Sequence, residues 1–133
     1  MSSKRHFKFD KLVRDKVPDR MHEKNIHISY YAMNNEEYIG ELKRKLLEES
    51  EEVMEANSQT DLIEELADVL EVVYALSAAC DISIDQIEKI RNVKKDHRGD
   101  FTNKIYAEYI EIDSDHKDIK YYLSNPTKYP EII

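Results

Sequence analysis

Between Asn34 and Cys80 the chain carries two consecutive apolar stripes at helical spacing, parted only by the short polar break Asn57–Thr60. Asn34 with Glu37 three residues on has the form of a capping box, which predicts a helix over about 35–57. Ile39, Leu42, Leu46 and Val53 form its inward stripe. Asp61 with Glu64 repeats the capping pattern and predicts a second helix to about Ala79, with Leu62, Leu66, Val69, Val73, Leu76 and Cys80 on one face. Helices joined by so short a break are expected to form an antiparallel hairpin. Two glycines and three prolines in 133 residues leave few tight turns, so the expected fold is mainly α, a helical bundle.

Around the hairpin the reading is more varied. Ser83 with Gln86 predicts a third helix over about 84–97, with Ile84, Ile87, Ile90 and Val93 inward and Gly99 at C′. Residues 26–33 and 103–113 are rich in β-branched and aromatic side chains, which predicts a small two-stranded β element. Two strands alone are marginal, so they are expected to lean on the helices. Within 7–25, Pro18 either forces a bend or starts a short helix. A helical turn is expected near 116–124. The chain reads as one domain, residues 1–133, with a core of about 9–112 and a tail, 113–133, whose place the pattern does not assign. The apolar run Val72–Cys80 is more than one hairpin covers, which predicts a homo-oligomer, dimer or tetramer.

The charge is unevenly distributed. Net charge is −8, but Glu36–Glu71 holds 13 acids against 3 bases, while residues 1–25 hold 8 bases against 4 acids and 89–104 hold 6 against 2. Positive flanks around an acidic middle suit an anionic ligand whose metal is held centrally. General nucleic-acid binding is disfavoured, since such proteins are basic throughout. No apolar stretch reaches the ~18 residues of a membrane span, and the N-terminus lacks a signal-peptide apolar region. With a single cysteine, Cys80, expected as a buried, inert thiol, the chain reads as soluble and cytoplasmic, with no membrane partner.

The chemistry concentrates in two acidic clusters. Glu48-Glu49-Ser50-Glu51-Glu52 has the form E-E-x-x-E, and Glu65-Leu66-Ala67-Asp68 has the form E-x-x-D. Carboxylates three or four apart share a helix face, about 5–6 Å between Cβ atoms, and repel unless a cation lies between them. Glu49 falls at the border of the first apolar stripe, Glu65 at the edge of the second and Asp68 beside it. Closing the hairpin therefore brings Glu49 and Glu52 to Glu65 and Asp68 across the seam. Hard oxygen ligands in that number suit Mg²⁺, with Mn²⁺ as an alternative, and imply a phosphate-handling enzyme. The bland alternative is a solvated acidic face, which Glu51, Glu55, Glu64 and Glu71 exemplify by pointing further outward. Tyr30, Tyr31 and Tyr38 read as packing residues with wet hydroxyls.

These residues resemble a known group. E-E-x-x-E followed by E-x-x-D on paired helices is similar to the signature of the all-α nucleotide pyrophosphohydrolases, which include MazG, dimeric dUTPases and phosphoribosyl-ATP pyrophosphohydrolase. Lys11-Leu12-Val13-Arg14-Asp15-Lys16-Val17-Pro18 resembles the K-L-V-R-D-K-I-P opening of the phosphoribosyl-ATP-pyrophosphohydrolase-like branch, and Glu64–Glu71 resembles its E-E-L-A-D-V-L-E. Lys94-Lys95-Asp96-His97-Arg98-Gly99-Asp100-Phe101 is similar to its K-x-x-x-R-G-G-F, with Asp100 in place of a glycine. That departure adds a negative charge and removes the freedom to reach positive φ, which puts phosphate contact by the loop in question. Asp100 is equally a structural partner for Arg98.

The resemblance implies Mg²⁺-dependent hydrolysis of a nucleoside triphosphate between the α and β phosphates, giving monophosphate and pyrophosphate. Glu49, Glu52, Glu65 and Asp68 would be the metal ligands, and Glu48 the group that orients or deprotonates the attacking water, a further ligand or an exposed acid. Lys11, Arg14, Lys16, Lys94, Lys95 and Arg98 would meet the polyphosphate. Asp15 is expected to position Arg14, and His97 to be solvated. The alternatives are the phosphoribosyl-ATP step of histidine synthesis and a catalytically silent helical interaction module.

Overall fold

The computed structural model describes residues 3–133, and every regular element in it is a helix. They run in the order α1 (Val17–Glu23), α2 (Asn35–Glu55), α3 (Gln59–Ala79), α4 (Ile84–Arg98) and α5 (Ile119–Leu123). The chain divides into two compact units, the first ending at Asp96 and the second comprising His97–Ile133.

Local sequence sets the helix ends. The Asn34 side chain accepts a hydrogen bond from the Glu37 N–H (2.9 Å), so the predicted cap of α2 forms. For α3 the cap lies earlier than the sequence suggested: Ser58, not Asp61, is the N-cap, its hydroxyl accepting from the Asp61 N–H at 3.1 Å. Ser83 and Gln86 bond reciprocally at the start of α4, 2.8 and 3.1 Å, satisfying two amides that would otherwise lack partners. Gly99, at φ +81°, follows the last turn of α4 in the left-handed conformation that ends many helices. Pro18 occupies the first turn of α1, where its missing N–H costs no helical bond.

Only α2 and α3 pack extensively on each other among the described residues. Glu52 lies by Glu65, Glu49 by Asp68, and Tyr38 and Leu42 line one cleft with Val72 and Ala75, so the two helices run antiparallel. Leu42 (2% exposed) and Val72 (7%) are the buried apolar residues of the seam. Burying a side chain of this size contributes about 1.5–3 kcal/mol.

The seam differs from the predicted one along the first turns of α3. Glu65, Asp68, Val69, Val72, Val73, Ala75, Leu76, Ser77 and Ala79 are buried or partly buried, which includes Val69, Val73 and Leu76 of the predicted face, whereas Leu62 and Leu66, expected inside, are exposed. Ile63, Leu66, Leu70 and Tyr74 form an uncovered apolar stripe on α3, and Leu47 and Met54 of α2 are exposed as well. The apolar surface of α3 is wider than one neighbour can cover, so packing had two sectors to choose from.

Other expectations are corrected. No β-strand occurs among the described residues: 26–33 and 103–113 form no ladder, since two strands with no third to pair with gain too little, and 103–113 opens in a turn with Lys104 at φ +59°. Cys80 is exposed, because it forms the C-cap of α3 beyond the packed seam. Ile90 and Val93 are exposed on α4, which no other helix covers extensively. Tyr30 and Tyr31 are exposed too, on a segment without regular structure. No helix among the described residues is long and apolar enough to cross a membrane.

In the second unit the tail organises itself. Tyr121, Tyr122 and Tyr129 meet with ring centroids 5.2–5.7 Å apart, largely edge to face, the arrangement aromatic quadrupoles favour. The ammonium of Lys128 lies 5.3 Å from the Tyr129 ring centroid.

Candidate metal centre

Closing the hairpin brings the two acids of α3 into the seam. Glu49 and Glu52, one turn apart on α2, meet Glu65 and Asp68, one turn apart on α3, and one carboxylate oxygen from each lies within 4.8 Å of all the others. Glu49 is 6% exposed and the other three are partly buried. Oε2 of Glu49 and Oε2 of Glu65 are buried with no hydrogen-bond donor in reach. Buried polar atoms without partners are rare, and two in one cluster of like charge make a group that could hold a cation.

The titration of these groups records the crowding. The close approach of the Glu52 carboxyl, burial, and the charges of Glu52, Asp68 and Glu49 push the Glu65 carboxyl up to about 7. Burial raises that of Glu49 as well, helped by Glu52 and Asp68 and opposed by Lys45. Like charges in a partly desolvated seam favour the protonated form, and a dication reverses that preference. Oxygen-only ligands from two facing helices fit Mg²⁺ or Mn²⁺ by charge and donor type.

Cations stand around this cluster. Arg14 Nη2 is 2.7 Å from Asp68 Oδ1, joining the N-terminal segment to α3 across 54 positions of sequence. Lys45 Nζ lies 3.1 Å from Glu48 Oε2 and 3.5 Å from Glu49 Oε1, and Lys11 Nζ is 3.5 Å from Glu48 Oε1. Glu48 therefore sits outside the four, between two ammoniums; burial opposes its ionisation, but the hydrogen bond and charge of Lys45 and the charge of Lys11 outweigh it and hold its pKa below the usual value. A cleft of ≈210 Å³ opens beside the centre, lined by Arg14, Asp15, Lys45, Glu49, Asp68 and Glu71 on its polar side and by Leu12, Val13, Tyr38 and Leu42 among its apolar residues.

Of the candidates named from sequence, the structure brings together Glu49, Glu52, Glu65, Asp68 and Arg14, with Lys11 linked through Glu48. Lys16, Lys94 and Lys95 are exposed, make no ion pair among the described residues and do not line the cleft. Arg98 is exposed and belongs to the second unit. Asp100 is not its partner: the Asp100 carboxylate accepts from the N–H and hydroxyl of Thr102, at 3.0 and 2.7 Å, which lower its pKa. Asp15 lines the cleft while Arg14 pairs with Asp68, so Asp15 is not what holds Arg14. Sequence reasoning missed Lys45. Its signal was present, a lysine four residues before Glu49 on the face that carries Leu42.

The MazG-like family model matches residues 32–112, which is 81 of the 133 residues and spans both acidic clusters. The Lys11–Pro18 segment lies outside that match. Neither a curated protein nor a solved structure matches the chain. With its two acid-bearing helices and their convergent carboxylates inside the matched region, the chain belongs to the MazG-like family.

Proposed function

We propose that the protein is a nucleotide pyrophosphohydrolase that uses Mg²⁺, or Mn²⁺ in its place, to cut a nucleoside triphosphate between the α and β phosphates. The observation that carries this reading is the pair of buried, partnerless oxygens on Glu49 and Glu65 within a four-carboxylate cluster, beside a cleft to which Arg14 and Lys45 contribute cations. Glu49, Glu52, Glu65 and Asp68 would hold the ion. When bound it supplies neutralising charge at phosphate oxygens and a water of lowered pKa.

The chain's own residues divide the remaining work. Arg14 and Lys45 place positive charge on the cleft wall next to the cluster, where it offsets charge that develops on the leaving pyrophosphate. Lys11 adds to this from beside Glu48, and Lys16, Lys94 and Lys95 are further candidates for the polyphosphate. Glu48 stays ionised between its two lysines, which suits orienting a water better than removing its proton. Leu12, Val13, Tyr38 and Leu42 exclude water from one side of the cleft.

Clearance of non-standard nucleotides in the cytoplasm is the role we assign, with a second copy of the chain covering the open apolar stripe of α3 to form a dimer or tetramer. The test is pyrophosphate release from a panel of standard and damaged nucleoside triphosphates plus phosphoribosyl-ATP, with Glu52→Gln as control. Selective release from a damaged nucleotide supports the assignment. Preference for phosphoribosyl-ATP moves the protein to histidine synthesis. Release from none, or release that Glu52→Gln leaves intact, discards the enzyme in favour of an interaction module.

A further inference from the structure

We propose that Arg14 is a tethered counter-ion of the metal centre, competed off Asp68 by an entering dication and thereby released toward the anionic phosphate groups of the substrate. This rests on reading the four carboxylates as a metal centre. Asp68 is one of the four, and in this structure one of its oxygens is engaged by the Arg14 guanidinium at 2.7 Å. A dication and a guanidinium on one carboxylate repel each other, so metal and Arg14 compete for it.

Arg14 is the cation suited to leave. Lys45 also touches the cluster, through Glu49, but Glu48 holds it at a shorter distance, 3.1 against 3.5 Å, so occupation of Glu49 by metal leaves Lys45 in place. Arg14 has no ion-pair partner other than Asp68 among the described residues. Its side chain is 58% exposed and can swing through solvent without disturbing the core. Its backbone stays, since its neighbours Leu12 and Val13 are half-buried and its carbonyl accepts from the Val17 N–H at 3.0 Å. A guanidinium turned away from Asp68 remains on the wall of the same cleft, where its planar fork suits two phosphate oxygens at once. Metal binding would then create the phosphate site it needs, which orders the two events.

Calorimetric titration of the full-length protein with Mn²⁺, followed by imidodiphosphate as a non-hydrolysable pyrophosphate probe, tests this. Removing the competitor in Arg14→Gln should tighten Mn²⁺ binding by about two- to fivefold, the range of a partly exposed ion pair. The Mn²⁺-loaded variant should bind imidodiphosphate at least about tenfold more weakly, with Arg14→Lys between the two. Wild-type protein offers a readout without substitution: adding Mg²⁺ should shift the Arg14 Nε–H resonance in nitrogen-15 spectra toward that of a solvated guanidinium. Unchanged or weaker Mn²⁺ binding by Arg14→Gln, or a stationary resonance, overturns the release of Arg14 while the metal centre stands. If wild-type protein binds no Mn²⁺, or Glu49→Gln binds it equally well, both readings fall.

Discussion

Glu49 on α2 and Glu65 on α3 each bury a carboxylate oxygen that no donor reaches, and both oxygens belong to one cluster spanning the helix seam. A dication would satisfy them and offset the repulsion within the cluster. Mg²⁺ or Mn²⁺ should therefore raise Tm, by an amount equivalent to about 2.7 kcal/mol at a hundredfold excess over Kd. Glu49→Gln and Glu65→Gln should abolish the response and make the metal-free protein more stable than the wild type. Thermal melts with and without metal decide this.

The same crowding makes stability depend on pH. Glu65 titrates at about 7 in the folded protein against 4.5 ordinarily, so the folded state holds a proton that the unfolded chain has lost. Stability is then fully present below the ordinary pKa and is lost as pH rises toward and through about 7, with Glu49 shifted in the same direction. Urea unfolding without metal at about pH 5 and about pH 8 should give the lower stability at the higher pH. Saturating Mg²⁺ should remove or reverse that slope, since ligation requires the deprotonated acids.

Loss of a ligand should exceed loss of any outer group. Glu52→Gln and Asp68→Asn are expected to lower pyrophosphate release by more than the roughly 10–100-fold typical of residues behind metal ligands. Lys45→Ala should fall within that outer range, because Lys45 touches Glu48 and Glu49 from one side. Steady-state rates at saturating Mg²⁺ separate the two classes.

The open stripe on α3 bears on assembly. Leu66 is 50% exposed and lies between Ile63 and Leu70 on that stripe. Leu66→Glu should shift the protein to a smaller species in sedimentation or light scattering while keeping its helical content. An unchanged mass would remove the second copy from that face.

Packing in the seam should follow burial. Leu42, at 2% exposed, should cost about 2–5 kcal/mol as Leu42→Ala in chemical unfolding, whereas Leu62→Ala, on the open side of α3, should cost far less.

Much of this was legible in local pattern. The caps at Asn34 and Ser83 form as read, because each involves side chains and amides only three residues apart. Glu49, Glu52, Glu65 and Asp68 were identifiable as a group, since their spacing places each pair on one helix turn and the short connection brings the turns together. The strands were misjudged because β-rich composition describes what a segment tolerates, and a ladder also needs a partner.

The sequence by itself determined that two long helices follow one another, that Asn34 and Ser83 cap α2 and α4, and which acids share a face, all consequences of contacts within a few residues. Tertiary structure alone decided that Leu62 and Leu66 stay outside the seam, that Glu49 is buried, that Arg14 reaches Asp68 across 54 positions, and that Lys45 joins the centre. Helical periodicity gives a residue's angle around its own axis, but which sector of a broad apolar surface meets the neighbouring helix depends on how both surfaces fit together.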